Sequence, residues 1–425
     1  MPLSAQVLIA LVLGILFGVM GGSHRYWLGH GNEDLGHIGM LVIRLLKALA
    51  VPLILFGILD AFVKTHISAR KGFRLVLICL VNVTVAFAIG LSLMNGLKPG
   101  LTLQGTLSEL IDRTGSAAGA AATPPPQASL DWLHNLGGYV PQSLLEPLLN
   151  NNVISVVLMA VLFGAAIKAL ESSSSETNHQ GIASLGWLIS GVYDVLIKVL
   201  SWVVKLVPLA VFGLVAHAVG KAGIGIFSDL AAFVGIITLG LCLHGLVYYP
   251  LVAWTLAGRP PGIYLGRGAD AVLTGLSTNS SLATVPVTLE CLSQMQVGQT
   301  TARLAACAGT NLNNDGVTLY EVMAALFLAQ ALGFNLDIGQ QISIGLASLM
   351  AGIGIAGIPE AGLIVLPLVL GAAGLPEAVI AAAIPLIASV DWFLARLRSG
   401  VNVLSDMLVA LLLDTWETRR PSDSD

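Results

Sequence analysis

Charge is what this chain has least of. Asp, Glu, Lys and Arg make up 10% of its 425 residues, against about 25% in soluble globular proteins. Hydrophobic residues make up 56%, and the mean hydropathy is +0.85. That balance excludes a soluble globular protein and leaves a polytopic membrane protein. A basic excess is missing too: 20 Lys and Arg face 24 Asp and Glu, and a net charge of −4 argues against a nucleic-acid footprint. Cysteine is scarce. Cys79, Cys242, Cys291 and Cys307 sit in apolar runs with no CxxC spacing, which argues against a disulfide frame or zinc site and for small buried hydrophobes. The chain lacks a nucleophile elbow, an HExxH pair and a phosphate loop, so no enzyme class is indicated. "SAQVLIALVLGILFGVMGG" has no basic segment before it and further spans after it, which makes it a first transmembrane helix rather than a signal peptide.

What is present is apolar sequence in lengths that suit a bilayer. A helix needs about 20 mostly apolar residues to cross. Such segments fall near 4–22, 38–63, 74–97, 140–170, 184–218 and 226–256. The loop "VKTHISARKGFR" carries Lys64, Arg70, Lys71 and Arg74 and is expected to face the cytoplasm. Two spans precede it, so the N-terminus lies inside. An even total puts the C-terminus inside as well, which suits Arg419 and Arg420. "GSAAGAAATPPPQAS" (115–129) reads as a low-complexity linker, "ESSSSETNHQ" (171–180) as a short polar loop.

Beyond "GRPPG" (258–262) the pattern changes. Residues 264–415 read as two similar units, each a Gly/Ser-rich break inside an apolar hairpin followed by a long helix with its own polar break. The breaks are "LSTNSSLATVP" and "NLNNDG", then "AGIGIAGIPEAG" and "RLRSGVNVLSD". Unpaired backbone facing lipid costs several kcal/mol per group, so breaks at membrane depth must be buried in protein or line a cavity. Paired interrupted segments in corresponding halves point to a secondary transporter with a midplane site. Pro286 and Pro359 follow the hairpin breaks and are placed to start the second arms, whose inward N-termini favour anions. "GTNLNNDGVT" (309–318) reads as an unwound stretch. Its carbonyls, Asn313, Asn314 and Asp315 offer the oxygen ligands a hard cation prefers, and Asp315 is very costly there without a cation or proton.

Taken in order, these motifs resemble the glutamate transporter family, the dicarboxylate/amino acid:cation symporters, over nearly the whole chain. "MLVIRLLKALAVPLILFGIL" looks like the family's second helix and "LVPLAVFGLVAHAVG" like its fifth. "SSLATVPVT" resembles the tip of hairpin one, "NLNNDGVTLYE" the seventh-helix motif, "GIAGIPEAG" hairpin two and "DWFLARLRSGVNVLSD" the eighth helix. The resemblance implies an all-α polytopic membrane protein of eight transmembrane helices plus two re-entrant helical hairpins, with inverted repeats. It implies a homotrimer, an elevator mechanism, a lipid-bilayer setting in the plasma (cytoplasmic or inner) membrane, and hairpin two as gate. Scaffold helices would occupy 1–74 and 139–223, and transport-domain helix three 75–100. An extracellular linker would fill 101–138, the rest of the transport domain 224–416, and a cytoplasmic tail 417–425.

Residue by residue, the resemblance places Arg398 on the distal carboxylate of the substrate, where a planar guanidinium suits bidentate recognition. Asn402 matches the residue for the main carboxylate and also neighbours the cation sites. Ser280, Ser281, Ile358, Gly362 and Ser399 match substrate-lining positions. Asp315, Asn313, Asn311 and Asp406 match cation-site positions.

Several positions depart from the family pattern. Ala395 stands where amino-acid-transporting members keep an aspartate for the substrate's amino group. A buried ammonium without a partner is expensive, so the inferred substrate is a dicarboxylate; the alternative is an acidic amino acid whose ammonium finds another partner. Val317 replaces the motif threonine at the distal-carboxylate end, and Asn314 the motif methionine near the sodium sites. In helix three, Cys79, Asn82 and Val83 replace the usual hydroxyl pattern, with Thr84 facing elsewhere. Asn82 and Asn314 are candidate replacement amide ligands.

Other polar residues have simpler expectations. Glu360 reads as a solvated gate residue and Arg396 as a structural cation. Glu321 is expected to pair with a base such as Arg303, if the helices allow it. His217 and His244 read as satisfied interior histidines, and Asp391 as a support of the eighth helix. The resulting expectation is a symporter moving a small carboxylate with Na+ or H+, with no organic cofactor and no nucleic acid. Proton coupling would use Asp315, Asp406 or Glu360. The alternatives from other classes are an anion channel and an intramembrane enzyme built on Asp315 and Asp406.

Overall fold

The computed structural model describes residues 3–27, 29–64, 69–105, 140–150, 152–173, 176–354 and 361–418. It is helical almost throughout. A two-stranded antiparallel ribbon, β1 (Arg25–Trp27) and β2 (His30–Gly31), links the first two helices. Among the described residues, five helices are long and apolar enough to cross a membrane, and three shorter apolar helices accompany them.

One group of helices packs mainly on itself: α1 (Leu3–Gly21), α2 (Asn32–Lys64), α5 (Val153–Ser173), α6 (Glu176–Val204) and α7 (Val207–Ala222), with the short α4 (Glu146–Leu149) before α5. Gly14 and Gly18, one helical turn apart on α1, explain how α1 meets α7. A Cβ on Gly14 would lie 2.9 Å from Val215, and one on Gly18 2.6 Å from Val219. Small residues at such spacing let helix backbones approach closely without a hydrophobic drive from water. Asp60 is buried on α2. It accepts from Ser190 of α6 at 2.5 Å and pairs with Lys64 at 2.8 Å, so its charge is answered inside the bundle.

The second group surrounds the polar centre. It holds α3 (Ala69–Leu97) and α8 (Ile226–Cys242), with a π-helical turn Leu243–Tyr248 leading into α9 (Tyr249–Ala257). Then come α10 (Pro261–Thr278), α11 (Ser281–Gln294), α12 (Gln299–Arg303), α13 (Asp315–Ala331), α14 (Ile338–Gly354), α15 (Ala361–Ala372) and α16 (Glu377–Thr418). Amide side chains fasten α3 to this group. Gln330 of α13 donates to the Met94 carbonyl at 2.8 Å, and Asn95 donates to Gln341 of α14 at 2.8 Å. At the other end Lys71 pairs with Glu417 of α16 at 2.8 Å.

Several sequence expectations change. The apolar run 184–218 is two helices, divided at Lys205 and Leu206, with Pro208 in the first turn of α7 where its missing N–H is harmless. The run 140–170 forms its long helix only from Val153. Pro286 does not start the second arm of hairpin one. That arm begins at Ser281, and Pro286 lies inside it. The expected break at "RLRSGVNVLSD" is absent, because α16 runs as one helix from Glu377 to Thr418 and carries its polar groups on side chains alone. The break at 309–314 is real. A π-helical turn (Leu304–Ala308) and a 3₁₀ turn (Gly309–Asn311) come before the unwound Asn313 and Asn314, and α13 starts at Asp315. Most of the linker, Ile358, Pro359 and Glu360 at the tip of hairpin two, Arg419 and Arg420 lie outside the described residues, as does the side chain of Asn311.

Candidate functional site

The tip of hairpin one is built by capping. Asn279 takes a left-handed backbone (φ 54°), which ends α10 and turns the chain. The Ser280 hydroxyl accepts from Ala283 N–H at 3.1 Å and so caps α11, while Ser281 is buried and lies 3.4 Å from Thr310 Oγ1. Ser399 of α16 lies 3.4 Å from Asn279 Oδ1. The first hairpin therefore meets the eighth-helix motif through Asn279 and Ser399, and the unwound stretch through Ser281 and Thr310.

One end of the polar centre holds a buried ion pair. Arg398 is 2% exposed, and its guanidinium grips Asp391, two turns earlier on α16, at 2.7 and 3.1 Å. The Tyr320 ring faces the guanidinium at 3.9 Å, a cation–π contact. Gly362, at the start of α15, leaves the room the guanidinium fills, since a Cβ there would lie 2.5 Å from Arg398 Nη2. Val317 and Ala395 are both buried, at 5% and 2% exposure. Glu321 is fully buried without a hydrogen bond to either carboxylate oxygen, and its charge faces Arg398 and Asp391. It does not pair with Arg303, which is exposed. Arg396 points away: it donates to the Trp392 carbonyl and covers the Trp392 ring.

The other end is anionic. Asp315 Oδ2 accepts from the Tyr249 hydroxyl at 2.7 Å and lies 2.8 Å from Ser405 Oγ, which is also 2.8 Å from Asn313 Oδ1. Asn313 Nδ2 and Thr310 Oγ1 donate to Asp406 at 3.1 and 2.8 Å. Asn82 reaches the same knot, accepting from Tyr248 at 3.0 Å, while Cys79 and Val83 are buried beside it without oxygen to offer. Thr84 faces away and bonds its own helix at Leu80.

His244 corrects an expectation. It is interior but not satisfied: neither ring nitrogen has a hydrogen bond, and Nε2 stands 3.6 Å from Asp315 Oδ2. Its ring stacks on Tyr248, with centroids 5.1 Å apart. Sequence reading missed Tyr248, Tyr249, Thr310 and Ser405. The signal was there in "LVYYP", two phenols side by side in an apolar run.

Two buried carboxylates joined only to neutral groups suit a hard cation. The donors are carboxylate, amide and hydroxyl oxygens. Among the described residues no group of three or more His, Cys, Asp or Glu is arranged for a metal. Asn402 stands between the two ends. Its Oδ1 accepts from Gly316 N–H at 2.9 Å and its Nδ2 donates to Asn314 Oδ1 at 2.5 Å. The α13–α16 approach depends on Gly316, where a Cβ would lie 2.7 Å from the Arg398 carbonyl. Gly316→Ala is expected to force the helices apart and destabilise by about 1–3 kcal/mol, measured as a lowered melting temperature.

Comparison with known sequences fits this geometry. Residues 3–416 match the sodium:dicarboxylate symporter family. Human excitatory amino acid transporter 3 is 29% identical over 442 residues, covering 93% of this chain and 82% of its own length. The proton/sodium-glutamate symport protein of Bacillus subtilis is 27% identical over 421 residues, covering 98% and 92%. Bovine excitatory amino acid transporter 1 is 32% identical over 266 residues, covering 62% and 47%. These relatives are transporters and not enzymes. An apolar helical chain with a buried guanidinium at one end of its polar centre and paired carboxylates at the other is a multi-pass membrane transporter, and it belongs to the sodium:dicarboxylate symporter family.

Proposed function

We propose that this protein is a secondary active symporter that carries a small dicarboxylate, coupled to Na+ or H+. The observation that carries the reading is Arg398, a buried guanidinium held bidentately by Asp391 beside a glycine-made space at Gly362. A substrate carboxylate exchanges with or joins Asp391 on the guanidinium fork. Hairpin one (Ser280, Ser281), Ile358 and Gly362 of hairpin two, and Val317, Ser399 and Asn402 line the rest. Asp315, Asp406, Asn313, Asn311, Asn82 and Asn402 hold the coupling cation. Proton coupling in its place would use Asp315, Asp406 or Glu360.

The packing supports two bodies, with α1, α2 and α5–α7 as scaffold and α3 with α8–α16 as the moving part. The proposed boundaries are 1–74 and 139–223 for the scaffold, 75–100 and 224–416 for the transport domain, 101–138 for the linker and 417–425 for the tail. The proposal includes eight transmembrane helices and two re-entrant hairpins, an elevator movement, a homotrimer, both termini cytoplasmic and a plasma-membrane location.

A second reading is an acidic amino acid as substrate, favoured by the names of the relatives. Ala395 supports the dicarboxylate, because it supplies no carboxylate for an ammonium group. Purified protein in liposomes should take up C4-dicarboxylates in preference to aspartate and glutamate, under a sodium gradient or a pH gradient. Ala395→Asp should shift that preference toward the amino-bearing acids by about tenfold or more, the scale of one buried charge pair. Preference for aspartate by the unaltered protein would overturn the dicarboxylate reading. Currents without any cation gradient would favour an anion channel.

A further inference from the structure

Asn314 sits in the N-cap position of α13, where an asparagine side chain ordinarily accepts from an N–H of its own first turn. It does not do so here. The N–H of Gly316 is instead capped by Asn402 Oδ1 at 2.9 Å. Asn402 Nδ2 then donates to Asn314 Oδ1 at 2.5 Å, and Asn314 Nδ2 donates to the Gly352 carbonyl at 2.9 Å. All of these groups are buried.

The ends of this chain fix its direction. The Gly316 N–H can only donate and the Gly352 carbonyl can only accept, so both amides between them have one orientation. The chain joins two helix ends. Gly316 N–H is one of the orphan donors at the start of α13, and Gly352 O lies among the last carbonyls of α14, the first arm of hairpin two. Carbonyls at a helix C-terminus carry partial negative charge and attract either a cation or an N–H donor. Asn314 supplies the donor. Its oxygen accepts from Asn402, so both ends of the amide are engaged in the relay.

We propose that Asn314 is a positioning residue that seats hairpin two by a neutral amide relay, Gly316 to Asn402 to Asn314 to Gly352, where a bound cation would otherwise answer the α14 carbonyls. Seating of this arm is then independent of Na+. The inference rests on the symporter reading only in treating hairpin two as the gate. Its test contains no substrate, so it can fail while carboxylate transport stands, and the reverse.

The test is hydrogen exchange by mass spectrometry on residues 338–354 of the full chain in detergent, in sodium chloride and in choline chloride. In the unaltered protein the protection of this segment is expected to be the same in both salts. Asn314→Leu should speed exchange there about tenfold, the effect of one lost buried hydrogen bond on local opening. Residues 3–21 and 207–222 should stay protected. Asn314→Gln, which keeps the amide, should recover part of the protection. Protection of the unaltered segment only in sodium would overturn the proposal, as would unchanged exchange in Asn314→Leu. Should that variant lose protection throughout, the two-salt comparison on the unaltered protein still decides.

Discussion

Arg398→Ala is expected to abolish stabilisation by dicarboxylates. A ligand at a hundred times its dissociation constant raises the unaltered protein's stability by about 2.7 kcal/mol; the variant's melting temperature should not move. It should also be less stable without ligand. Asp391 is fully buried and would lose the cation that answers it, and breaking a buried pair from one side costs about 3–5 kcal/mol. The two effects separate in the pair variant Arg398→Leu with Asp391→Leu. Replacing both charges by apolar groups of similar bulk is close to neutral, so the pair variant should regain stability and still ignore the ligand. A dicarboxylate that stabilised either variant would remove Arg398 from the binding site.

Asp315→Asn should remove the response to the coupling cation. The unaltered protein should melt higher as Na+ rises, with the logarithmic dependence expected of a ligand bound only by the folded state. The variant should melt at one temperature across the same titration. Its fold should survive, because an amide oxygen can still accept from Tyr249 and Ser405, which now bond Asp315 at 2.7 and 2.8 Å. One fewer negative charge beside Asp406 also leaves less for the cation to offset. If the Na+ dependence persisted, the cation would sit elsewhere. If a pH dependence vanished in its place, the coupling ion would be the proton. Melting curves over a grid of Na+ and pH read both.

Much of this site was legible because its chemistry is rare in apolar sequence. Asp315 stands out as a carboxylate in an oily stretch, the family resemblance nominated Arg398, Asn402 and Asp406, and all four are buried. What sequence hid was of two kinds. The first is residues whose type is ordinary in a membrane helix until a partner is known: Tyr249, Ser405 and Thr310 matter because of which carboxylate they meet. The second is backbone behaviour. "RLRSGVNVLSD" has the serine, glycine and asparagine of a break, yet Gly400 sits within an unbroken helix, because packing against neighbouring helices outweighs a propensity difference of about 1 kcal/mol. Pro286 misled for a related reason. Ser280 caps the helix six residues before Pro286, which places the proline beyond the first turn it prefers, inside the helix.

The uninterrupted course of α16 sets a distance. Arg398 and Asp406 are eight residues apart on one continuous helix, which at 1.5 Å per residue separates them by about 12 Å along its axis. Under the proposed function, that helix is a ruler between a carboxylate at Arg398 and a cation at Asp406. A displacement at one residue reaches the other by a second route as well, sideways across the helix through Asn402 and the unwound stretch before α13.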